Sequence, residues 1–87
     1  MKYPERLAAV IAAVVTVLAA GHVGSQRKLR DAVRRQLGSC SDGDVDAAVE
    51  LLGRGVLRTV GARGATEYRL NVRALPSEWW PLLGRKA

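Results

Sequence analysis

Phenylalanine is absent from this 87-residue chain, and cysteine, histidine and methionine occur once each. The lone cysteine, Cys40, rules out a disulfide within the chain. The only histidine, His22, lies far from it in sequence, so nothing has the spacing of a metal-ligand cluster. No metal and no cofactor is expected, and a reducing, cytoplasmic setting fits this cysteine usage. Acidic residues are scarce as well: eight Asp and Glu stand against fourteen Lys and Arg, for a net charge of +6 and a pI near 10.5. A surface of that sign attracts polyanions, whether DNA, RNA or an anionic membrane. There is no Ser/His/Asp or Cys/His arrangement, no phosphate-binding glycine loop and no carboxylate pair in an apolar setting, so no enzymatic activity is expected. Cys40, in a polar turn before a helix start, reads as a surface thiol, with a reactive thiol as the alternative.

The chain also lacks an apolar run long enough to cross a bilayer, which takes roughly 20 residues. Leu7 to Ala20 is the longest candidate, and Lys2 and Arg6 ahead of it give it the look of a secretory signal. Glu5 among the basic residues, the shortness of the run and its periodicity favour a core helix over about 5–20, with no membrane partner. Leu7, Val10, Ile11, Val14 and Leu18 recur at helical spacing, while Ala8, Ala12, Val15 and Ala19 line a second side. A helix apolar on both sides has to bury both. Self-association through the alanine side and coverage by the C-terminal segment are the two ways to do so. Gly21 ends the helix, and residues 22–24 form a short connector that can add a minor strand, with His22 as a linker residue.

What is present in quantity is arginine, and its placement organises the rest. A second helix is predicted over about 26–37, opened by Ser25 as N-cap, with Leu29, Val33 and Leu37 on its apolar side beside Ala32. Its other side carries Arg27, Lys28, Arg30, Arg34 and Arg35 against Asp31 alone, a net charge of about +4. That density reads as phosphate-contacting, with a merely solvated face as the alternative. Gly38 closes this helix and a polar turn leads to a third, over about 42–54, whose buried stripe is Val45, Ala48, Val49 and Leu52. Asp42, Asp44 and Asp46 crowd its first turns, where carboxylates favour the helix dipole.

Past Gly55 the period changes from helical to alternating, with strands predicted over 56–60 and 66–72 around the turn from Gly61 to Ala65. Tyr68, Leu70 and Val72 share one face and Glu67, Arg69 and Asn71 the other, whereas the first strand leaves open whether Val56 and Val60 or Leu57 and Thr59 face inward. Arg58, Arg63, Arg69 and Arg73 make the hairpin basic. Residues 76–87 read as a tail bearing Trp79 and Trp80, which either pack on the first helix or anchor a second chain, and the final residues, 84–87, are expected to fray.

The segments LRDAVRRQLG, SCSDGD, VDAAVELLGRGVL and RTVGARGATEYRLNV together resemble the winged helix-turn-helix regulators of bacteria, phages and plasmids. The resemblance spans about Leu7 to Val72 and is one of pattern and spacing, with no invariant motif. It implies a mostly α fold with a small antiparallel sheet, an α+β class built as three helices and a β-hairpin wing over residues 1–75. It also implies duplex DNA as partner, a dimer, and a role in transcription regulation or as a plasmid or phage accessory factor. The net-negative third helix departs from that pattern, because it would stand nearest the bases with phosphates on both sides. Basic helix two and the wing are therefore expected to supply the phosphate contacts. The DNA-binding set is Arg27, Lys28, Arg34, Arg35, Ser39, Ser41, Arg54, Arg58, Arg63 and Arg69. Ala8, Ala12, Val15, Ala19, Trp79 and Trp80 are the candidates for dimer or partner contact. The alternative is a protein-protein interaction module of the same fold, docking through the acidic third helix and the Trp pair. RNA is a weaker option, for want of an aromatic stacking platform.

Overall fold

A computed structural model describes residues 5–21, 24–38, 40–61, 64 and 66–83. Three α-helices, α1 (Glu5–Ala20), α2 (Gln26–Leu37) and α3 (Asp42–Leu52), are followed by a 3₁₀ turn, Gly53–Gly55, and an antiparallel hairpin of β1 (Val56–Val60) and β2 (Thr66–Leu70). Two further 3₁₀ segments, Val72–Ala74 and Ser77–Leu83, follow, so the class among the described residues is mostly helical α+β with one two-stranded sheet. No helix among the described residues is long and apolar enough to cross a membrane. The minor strand expected around His22 and the fraying expected at 84–87 fall on residues outside those described.

The helix boundaries follow from local chemistry. The Ser25 hydroxyl accepts a hydrogen bond from the Lys28 amide at 3.1 Å, and the Ser41 hydroxyl accepts one from the Asp44 amide at 3.1 Å, each satisfying an otherwise orphaned N–H of the first turn. α3 stops at Leu52, two residues short of expectation. Gly53 takes φ 53°, a left-handed conformation that costs a side-chain-bearing residue more, and its N–H donates to the carbonyls of Glu50 and Val49. β2 likewise ends at Leu70 rather than 72. The Asn71 amide still donates to the Gly55 carbonyl at 2.8 Å, but Val72–Ala74 then coils into the 3₁₀ turn.

α1 is the centre of the molecule and packs against α2, α3, β2 and the Ser77–Leu83 segment. Val10, Ile11, Ala13, Val14, Val15 and Leu18 are all buried, so most of the apolar surface of this helix is covered within one chain. Val15, expected at a dimer contact, is wholly inaccessible and belongs to the core. Ala8 and Ala12 are half-buried, and Ala19 is exposed. The domain does not end at residue 75. Leu75 is itself a core residue, 3% exposed, and the indole N–H of Trp80 donates to its carbonyl at 3.0 Å. Trp79 and Trp80 lie partly buried against the core, the arrangement in which the C-terminal segment covers α1.

In the hairpin, Val56 pairs with Leu70, Arg58 with Tyr68 and Val60 with Thr66. Val56 and Tyr68 are buried, which sets the inward face of β1, whereas Leu57 lies on the opposite face and is 44% exposed. The hairpin closes on Gly64 at φ 78°, whose N–H donates to the Gly61 carbonyl at 2.9 Å. Gly55 is needed for a different reason, close approach. A Cβ there would lie 3.3 Å from the Leu75 Cα and 3.2 Å from its Cδ1. Gly55→Val is therefore expected to destabilise the fold by about 1–3 kcal/mol through overpacking. Urea unfolding beside Gly64→Ala, which meets no neighbour and pays only for its backbone conformation, separates crowding from conformational strain.

Candidate nucleic-acid interface

The cations of α2 divide into two rows. Arg30 and Arg34, one turn apart, face α3 and meet Asp46 and Asp42, which are also one turn apart. Arg30 grips Asp46 with two nitrogens, Nη2 at 2.7 Å and Nε at 3.3 Å, and lies 4.0 Å from Asp42 through Nη1. Arg34 bonds to Asp42, reaches Asp31 at 3.4 Å, and donates to the Cys40 carbonyl at 3.5 Å. On the other flank of α3, Asp44 accepts from Arg6 of α1 at 2.8 Å. The three carboxylates thus tie α3 to both of the other helices.

Protonation follows this geometry. The hydrogen bond from Arg6 is the largest influence holding the Asp44 carboxyl below its ordinary value of 3.8. Partial desolvation works against it and the Ser41 hydroxyl assists. Asp46 is lowered first by its bond from Arg30, again against desolvation, with a further bond from Gln26 and the charges of Arg30 and Arg58. The bond to Asp46 in turn raises Arg30. A carboxyl whose folded value lies below its unfolded one stabilises the fold above the unfolded value, and that contribution is lost as pH falls through the folded value. Thermal stability is therefore expected to hold on lowering the pH to about 5 and to decline below about 4. A pH series of melting curves checks it, and Asp46→Asn should flatten the acid limb.

The second row on α2 points outward. Arg27, Lys28 and Arg35 are exposed and, like Arg54 and Arg73, form no ion pair among the described residues. The first turn of α2 holds Arg27 and Lys28 with no acidic residue, although cations are disfavoured at that end of a helix dipole.

The remaining sequence-predicted residues are scattered. Arg58 shares the inward face of the hairpin with Tyr68 and lies 3.7 Å from Glu50, along a cleft that Gln26, Leu29 and Asp46 also line. Arg69 lies on the opposite face, 3.8 Å from Glu67. The two arginines therefore cannot grip one phosphate stretch together, because residues paired one position apart in register fall on opposite sides of a strand. Arg34 is engaged with Asp42, and the Ser41 hydroxyl is used as the α3 cap. Ser39 and Arg63 lie outside the described residues. Arg27, Lys28 and Arg35 of α2 are exposed, as is Arg54 just beyond the end of α3.

Arg6 and Arg30 hold two of the acids of α3, a role that sequence reasoning assigned to neither. A signal existed for Arg30: the four-residue spacing of Arg30 and Arg34 matches that of Asp42 and Asp46. No group of three or more metal-ligating side chains occurs among the described residues. Comparison of the chain with family models, with curated proteins and with solved structures found no match in any of the three.

Proposed function

We propose that this is a small winged-helix protein that binds duplex DNA, with the outward row of α2 as its main phosphate contact. The carrying observation is the division of charge: the acids of α3 are paired at the surface with Arg6, Arg30 and Arg34, while Arg27, Lys28 and Arg35 are exposed and form no ion pair among the described residues. A net charge of +6 then acts outward on polyanions. The order of three helices and a hairpin, with the third helix running through a glycine turn into β1, supports the winged-helix assignment. Engagement of Asp42, Asp44 and Asp46 also removes the chief difficulty, since carboxylates held in ion pairs repel a phosphate less than free ones. The same pairing weakens the alternative of a protein-docking acidic helix, because a basic partner would have to displace arginines already in place.

Titration of the isotopically labelled protein with a random-sequence duplex tests the assignment residue by residue. Amide shifts are expected to concentrate at the outward face of α2 and around Arg54. Shifts confined to Ser77–Leu83, or none at concentrations of duplex well above micromolar, would refute it.

A further inference from the structure

We infer that the protein holds duplex DNA with little regard to base sequence, because the part of α3 that would enter a groove offers no free group with which to read a base. The inference rests on the proposed DNA binding and concerns what kind of duplex is taken. In a helix-turn-helix docking, the N-terminal half of the second helix of the motif lies against the base edges. Here that half runs from Asp42 to Ala47.

Each polar side chain in it is already committed. The Ser41 hydroxyl caps the helix, Asp42 is held by Arg34, Asp44 by Arg6 and Asp46 by Arg30. A carboxylate can accept from a cytosine amino group, but any of these three would first have to give up an arginine. The positions left exposed between the two acidic flanks are Gly43, Ala47 and, one turn on, Leu51, which is 44% exposed. None carries a side-chain donor or acceptor. Ala47 can touch a thymine methyl group, which distinguishes bases only weakly beside a bidentate side-chain pair. The polar residues that do stand outward, Glu50 and Arg54, sit at the far end of the helix, and Glu50 leans toward Arg58 at 3.7 Å.

The unpaired cations of α2 stand on the helix that crosses the backbone in this docking, and phosphate contacts set register and affinity without carrying sequence information. The ligand class that fits is duplex DNA taken as a polyanionic rod, the chemistry of a coating or accessory binder and not of a regulator seeking one operator.

Competition measures this directly. A labelled random duplex bound to the full chain is displaced by unlabelled A·T-rich, G·C-rich and mixed duplexes of equal length at one salt concentration. In parallel, a pool of randomised duplexes is taken through rounds of selection. Competitor affinities are expected to agree within about threefold and the pool to yield no motif, whereas one lost bidentate base contact changes affinity by about five- to 150-fold. A selected motif preferred by tenfold or more would overturn the inference and leave DNA binding intact. Absence of binding to every duplex would overturn the DNA assignment itself, and with it this inference.

Discussion

Replacing Arg27, Lys28 and Arg35 together by alanine is expected to lower affinity for duplex DNA by about 10²- to 10³-fold near 0.1 M salt, with an unchanged melting curve. Each of the three side chains is exposed and forms no ion pair among the described residues, so little of the fold's stability is expected to depend on them. Each phosphate contact that releases a counterion contributes close to one power of the salt concentration, which sets the size of the effect. The control is Arg30→Ala with Arg34→Ala. That pair removes two positive charges from the same helix, yet both side chains face α3, so the expected losses are reversed: stability falls, and affinity per folded molecule changes far less. Binding by fluorescence anisotropy and melting by circular dichroism, run on both variants, separate the two rows of α2. Equal effects of the two variants on affinity would mean that charge count alone matters and that the outward row has no special place.

Reversal of Asp42, Asp44 and Asp46 to lysine is expected to do the opposite of what a surface charge swap does. Were these acids an unpartnered face, the added positive charge would strengthen DNA binding. As they stand, the change places new ammonium groups beside Arg6, Arg30 and Arg34 and at the positive end of the α3 dipole. It breaks the links from α3 to α1 and α2 in one step. The expected result is a melting midpoint lower by roughly 10 °C or more, up to loss of the folded state, because several unfavourable contacts act on a small domain with little stability to spare. A triple variant that melts like the parent and binds DNA more tightly would show that these pairs are loose surface contacts. Changing Asp44 alone, whose partner Arg6 is largely exposed, is the milder control.

Which of this was legible in the residues depends on how local the cause is. The starts and ends of α1 and α2 could be read because they rest on neighbours in sequence: Ser25 over Lys28 N–H, Gly38 after Leu37, and apolar residues at three and four spacing. The hairpin could be read because alternation and glycine are local signals too. Burial of Val15 could not, since it depends on which distant elements pack around α1, and nothing near Val15 records that. Leu75 was hidden for the same reason, standing next to a proline in what looked like an exit from the domain. In the candidate site, the sequence shows five cations on α2 but not which of them faces another helix. Helical geometry groups Arg30 with Arg34, and only the docking of α3 decides that this pair is neutralised while Arg27, Lys28 and Arg35 are not. The opposite facing of Arg58 and Arg69 was half visible. β2 placed Arg69 outward, but β1 needed the burial of Val56 to show that Arg58 lies on the inward side.

The salt dependence of binding to a random duplex tests the proposed function most directly, through the slope of log affinity against log salt concentration. With Arg27, Lys28 and Arg35 as phosphate contacts and Arg54 adding to them, the slope expected for the unaltered chain is about −3 to −4. Removal of the three α2 cations should flatten it to about −1, the share left to Arg54. A slope near zero for the unaltered chain, a slope the triple variant leaves in place, or no binding at low salt would each contradict the assignment of this face to DNA.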